Sequence, residues 1–99
     1  MKDFADLPLH DAVLRNIEVE WEAKQCRLVI TMARKASAST DLCTIEFEGV
    51  SRLSIPHDEP WGPSSSINTL SATPSAYQVE MQSGDIIEIQ ASKFSFKQL

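Results

Sequence analysis

Apolar and polar residues alternate along most of this chain with a period of two. Between Val13 and Trp21, Val13, Ile17, Val19 and Trp21 share one parity, interrupted at Arg15, while Asn16, Glu18, Glu20 and Glu22 share the other. Successive side chains of an extended chain leave opposite faces, so this run predicts a half-buried antiparallel strand with an acidic outer side. After the polar turn at 22–25, Cys26, Leu28, Ile30 and Met32 repeat the period, and the two runs predict a long hairpin.

Residues 34–41, RKASASTD, are small and polar without a period, and they predict an exposed, mobile connection. Alternation resumes with Cys43, Ile45 and Phe47 against Thr44, Glu46 and Glu48, then changes parity after Gly49 to Val50, Leu53 and Ile55. A parity change at glycine inside a strand pattern predicts a bulge. Ile67 and Leu70 mark a short strand, and Phe94 and Phe96 stand at strand spacing near the end. Tyr77, Val79 and Met81 meet Ile87, Ile89 and Ala91 if Gln82 lies opposite Ile86, whereas a two-residue Ser83-Gly84 turn would set Val79 against Glu88. Helix competes only at the beginning, where Asp3 or Asp6 could cap one turn before Pro8; DAVLRNIE fits helical spacing almost as well as strand spacing, and is read as strand. The pattern predicts an all-β chain with at most one short helical turn. Its six or seven strands form an antiparallel sandwich or open barrel, one domain over residues 1–99.

Composition narrows the function classes. With 42% hydrophobic residues in 99, one modest core forms without metal or disulfide staples. Nine basic against fourteen acidic residues leave a net charge of −5, and Arg34-Lys35 is the only adjacent basic pair, so nucleic-acid binding is not expected. The start, MKDFADLPLHDA, carries one lysine, three aspartates and no apolar run, which predicts no signal peptide, no membrane span and a cytoplasmic protein. Cys26 and Cys43 both hold core parity and read as buried thiols of a reducing compartment.

Two His-Asp pairs, His10-Asp11 and His57-Asp58, raise the question of a metal or general-base site, with Glu59 as a further ligand. Neighbouring residues of an extended chain point apart, and two imidazoles with two core-parity thiols fall short of a three- or four-ligand set. Ser64, Ser65 and Ser66 follow His57 closely, yet triad members normally come from separate elements, there is no Gly-x-Ser-x-Gly elbow, and Pro63 removes an oxyanion donor. No catalytic, metal or cofactor residue is therefore assigned.

Better supported is an acidic face: Glu18 and Glu20 on the first strand and Glu46 and Glu48 on the third, with Glu80 and Glu88 outward on the later hairpin. Adjacent strands would merge these into a continuous negative surface, either a plain solvated face or a patch complementary to a basic protein. In HDEPWGPSSSIN, residues 57–68, Glu59 and Gly62 precede prolines that hold them extended, so Trp61 stands on a stiff frame. It either closes one end of the core, indole inward and N–H on a carbonyl, or anchors an interface together with His57 and Asp58. His10 and Asp11 are read as a tie for the amino-terminal segment.

Leu9 to Ala12, Gly49-Val50 and Trp61 to Ser64 together resemble small bacterial proteins of uncharacterised role with a Leu-His-Asp-Ala or Leu-His-Asp-Ser start and a Trp-Gly-Pro-Ser loop. Some of these are grouped with toxin-immunity proteins. The resemblance implies a small acidic domain that neutralises a basic protein, and it carries over no residue roles. The expected function is thus a non-enzymatic binding domain; the alternatives are a small metal-dependent hydrolase around His10 and His57, and a homo-oligomeric structural protein.

Overall fold

The alternating runs form strands where the period predicts them. The structure, a computed structural model, describes residues 3–33 and 40–98. Among these residues are eight strands: β1 (Val13–Glu20), β2 (Gln25–Ala33), β3 (Thr40–Glu48), β4 (Arg52–Ser54), β5 (Ile67–Ala72), β6 (Tyr77–Met81), β7 (Ile86–Gln90) and β8 (Lys93–Gln98). They pair antiparallel into two four-stranded sheets, β1-β2-β3-β8 and β4-β7-β6-β5, and the one helical turn is a 3-10 turn at Phe4–Asp6. The all-β sandwich is as expected, with one strand more than the six or seven counted from the pattern.

The additional strand comes from Gly49. Its parity change is not a bulge within one strand. β3 ends at Glu48, whose carbonyl accepts the Ser92 N–H (2.8 Å), and the chain then crosses to the other sheet, where the Ser51 N–H donates to the Gln90 carbonyl (2.8 Å). Gly49 turns the chain at φ +64°, and a Cβ there would lie 2.1 Å from Ser92 Oγ. Bulges occur elsewhere. The β1-β2 register steps between Leu14 and Asn16, making Arg15 the extra residue, so Leu14 rather than Val13 joins Ile17 against the core. A second step between Ile67 and Thr69 lets Ile67 and Leu70 both face inward.

In the β6-β7 hairpin the parity is as expected but the register is two residues away: Tyr77 lies opposite Ile89 and Val79 opposite Ile87. The Gly84 N–H donates to the Met81 carbonyl and the Met81 N–H to the Asp85 carbonyl, with Gly84 at φ +92°. That is the three-residue hairpin loop whose left-handed residue forms a bulge, and it keeps apolar residues opposite apolar ones. Of the connection expected to be mobile, residues 34–39 lie outside the described residues, and Thr40 and Asp41 belong to β3.

The core draws Leu28, Ile30, Ile45 and Phe47 from one sheet and Ile67, Val79 and Ile89 from the other, all fully buried. Each contributes about 1.5–3 kcal/mol relative to exposure. Phe4 enters this core from the 3-10 turn and meets the rings of Tyr77, Phe94 and Phe47 at centroid distances of 5.1, 5.2 and 5.9 Å. Cys26 and Cys43 are free, buried thiols; burial pushes both up, and the Asp41 charge adds to the effect on Cys43. Among the described residues no helix is long and apolar enough to cross a membrane.

Candidate functional site

The segment between β4 and β5 is built around a buried carboxylate that sequence reasoning passed over. Asp85, just after the β6-β7 turn, accepts the N–H of Asp58 at Oδ1 (2.8 Å), the N–H of Glu59 at Oδ2 (3.0 Å) and the Ser83 hydroxyl at Oδ2 (2.7 Å). Burial alone would raise the Asp85 carboxyl; the Ser83 hydroxyl, the two backbone donors and the His57 ring outweigh it and hold the group below its ordinary value. A carboxylate with its lone pairs committed in this way is an anchor for the loop and not a free base.

From that anchor the chain makes a tight turn. Glu59 does not adopt the extended form expected before proline: its φ is +51°. Its N–H is held by Asp85, its carboxylate accepts the Ser64 N–H (3.2 Å) and its carbonyl accepts the Gly62 N–H (3.0 Å). Glu-Pro-Trp-Gly therefore forms a β-turn with Pro60 at the second position, where its fixed φ is preorganised, and Gly62 at the fourth. Trp61 occupies the third position, and its N–H donates to the Ser83 carbonyl (2.9 Å).

This frame does not turn the indole into the core. Trp61 is 66% exposed, which corrects the reading of the loop as a cap with its indole inward, and among the described residues its ring N–H has no protein acceptor. The Trp61 ring and Pro60 pack close against Gly84, where an added Cβ would stand 2.7 Å from Trp61 Cδ2 and 2.9 Å from Pro60 Cγ. Gly84→Ala combines that clash with a positive φ. It is expected to cost about 1–3 kcal/mol in urea unfolding and to shift the tryptophan emission as the indole is displaced.

The other candidate residues divide. His57 is exposed, with Nε2 3.9 Å from Glu59 Oε1, while Ser64 Oγ accepts the Ser66 N–H (3.1 Å). A cleft of about 370 Å³ is lined by His57, Ser64, Ser83 and Asp85 together with apolar residues that include Leu14, Ile17 and Ile87. His10 Nδ1 bonds the Asn68 carbonyl (2.7 Å), the Asp11 N–H bonds the Ile67 carbonyl (2.8 Å), and the Asp11 carboxylate accepts from the Gln82 amide. The pair ties the amino-terminal segment to β5, with the Asp11 carboxylate taking its bond from a side-chain amide. Its φ of +69° is held by these bonds.

The continuous acidic surface does not form. Arg27 on β2 lies between its neighbours and contacts Glu18 (3.5 Å) on β1 and Glu46 (3.0 Å) on β3, and Lys93 on β8 pairs with Glu48 (2.9 Å). Glu80 and Glu88 are on the other sheet, where Asn68 and Gln78 amides donate to them. Among the described residues Glu20, Glu22 and Asp58 are left without a cationic partner.

No protein-family model, curated protein or solved structure matches this chain.

Proposed function

We propose that this protein is a non-enzymatic binding domain that engages a partner protein through the Trp61 turn, the partner being basic as the immunity-like resemblance implies. One observation carries the reading: a 66% exposed tryptophan at the tip of a turn whose backbone is pinned at Asp58, Glu59 and Trp61 by Asp85 and Ser83. A large amphipathic ring held before contact loses little entropy on binding, which is the property of an interface anchor. The polar residues around it support the same reading, because Asp85, Ser83, Glu59 and Ser64 spend their hydrogen bonds on the frame. The net charge of −5, and Glu20, Glu22 and Asp58, which have no cationic partner among the described residues, favour fast association with a positively charged surface.

The experiment is a calorimetric titration against the product of the gene adjacent to its own. Saturable binding is expected, and Trp61→Ala is expected to weaken it roughly thirtyfold, as truncation of a central tryptophan does. Binding unchanged by Trp61→Ala would remove the turn from the interface.

A further inference from the structure

The sandwich is unfinished along one side. β1 is a terminal strand of its sheet; among the described residues its backbone partners beyond β2 lie at its start, where the Leu14 N–H donates to the Ser65 carbonyl (2.9 Å) and Val13 bridges Ser66. From Arg15 to Glu20 its outer edge is unpaired among the described residues. β1 carries no proline, and the side chains it directs toward the core are uncharged; what guards its open part is the bulge at Arg15 and the exposed charges of Arg15, Glu18 and Glu20, which select among partners by charge. Its inward-facing row is also left uncovered progressively: Ile17 packs against the core, Val19 is 47% exposed, and Trp21, next in line beyond the strand, is 87% exposed. Across a cleft of about 540 Å³ from Val19 and Trp21 stand Val50 and Leu53, beside and on β4, itself a terminal strand.

We infer that this seam is completed by an extended segment of a partner protein, one that pairs antiparallel or parallel with β1 and alternates basic and apolar residues. This rests on the reading of the protein as a binding domain. Six open residues offer about 20 Å of strand edge, enough for a peptide to add a strand through main-chain hydrogen bonds. The occupant's inward side chains would cover Ile17, Val19 and Leu53 and are therefore apolar, and Lys24 and Arg52 in the lining of the cleft oppose cations there. Its outward side chains would fall beside Glu18 and Glu20, of which Glu20 has no cationic partner among the described residues, and opposite charges on facing strands attract while like charges repel. The same arithmetic disfavours a second copy, because β1 laid against β1 brings Glu18 and Glu20 together.

The probe is a seven-residue peptide with lysine at every other position and valine between, titrated into isotopically labelled protein and followed by amide shifts and hydrogen exchange. Shifts and slowed exchange are expected at residues 15–20, with no response to the peptide in which glutamate replaces lysine, and with affinity reduced about fivefold in Glu20→Lys. Absence of a response at β1, or equal binding of the glutamate peptide, overturns the inference. So does self-association through β1 at high concentration, seen by light scattering. A partner protein whose binding is lost in Trp61→Ala yet leaves the β1 amides unshifted overturns strand addition alone and leaves the binding-domain reading standing.

Discussion

Replacing Phe4 with alanine is expected to lower unfolding free energy by about 3–5 kcal/mol, the cost of deleting a buried aromatic side chain and leaving its cavity. The first residues of a domain normally fray, and truncation there is usually tolerated. Here Phe4 is 2% exposed and faces three rings, Phe47, Tyr77 and Phe94, two of which also meet each other at 5.4 Å. The 3-10 turn is held over β5 by the His10 and Asp11 bonds to Asn68 and Ile67, so the ring is delivered to a fixed position. Against a net stability of about 5–15 kcal/mol for such a domain, the loss removes roughly a fifth or more of the margin. Urea unfolding measures it; Phe4→Leu, which keeps most of the volume, is expected to cost less than half as much. A loss below about 1 kcal/mol in Phe4→Ala would mean that the amino-terminal plug is dispensable.

The second large effect is at Asp85. Asp85→Asn keeps the size but replaces one acceptor oxygen by a donor and removes the charge, so the Asp58 and Glu59 N–H groups lose the carboxylate that orders them. Amide exchange at 58, 59 and 61 is expected to rise toward that of an open loop while residues 28, 45 and 79 in the core strands stay protected. The pH dependence has a definite sign. A carboxyl held below its ordinary value contributes stability that is present above the unfolded value of about 3.9 and is lost as pH falls through the lower folded value. Wild type is therefore expected to lose stability on acidification through and below pH of about 4 more steeply than Asp85→Asn. Parallel acid titrations of the two proteins would contradict the anchor.

Much of the fold was legible because a period of two is a direct consequence of strand geometry: Leu28, Ile45 and Val79 were each placed by parity alone. The errors occur where one residue changes the count. At Arg15 the interruption was visible in the pattern, but only pairing with β2 shows that it moves Leu14 inward in place of Val13. At Gly49 a bulge and a change of sheet produce the same parity flip, and long-range pairing decides between them. The hairpin register was two residues away because two registers keep apolar residues opposite one another, and the bonds of the Gly84 turn select the one that forms.

The site was less legible for a different reason. The Glu-Pro-Trp-Gly turn can be read from its proline and glycine positions, yet nothing local says that Asp85, 26 and 27 residues away, accepts the backbone of that segment. Side-chain bonds to backbone amides leave no mark on the residue types at the donor positions. The neutralising role of Arg27 was within reach, since it has the outward parity of β2 and any hairpin register sets it near Glu18. Counting carboxylates strand by strand, without the strand between them, produced an acidic face that the sheet does not have.

Residues 57–66 form a fixed frame around an exposed Trp61, and the proposed role of that ring in binding a partner protein is decided by titrating the adjacent-gene product into wild type, Trp61→Ala and His57→Ala under identical conditions. Saturable binding is expected, weakened roughly thirtyfold by Trp61→Ala and left within about threefold by His57→Ala. Binding of wild-type strength in Trp61→Ala, or its loss in His57→Ala alone, would contradict that role.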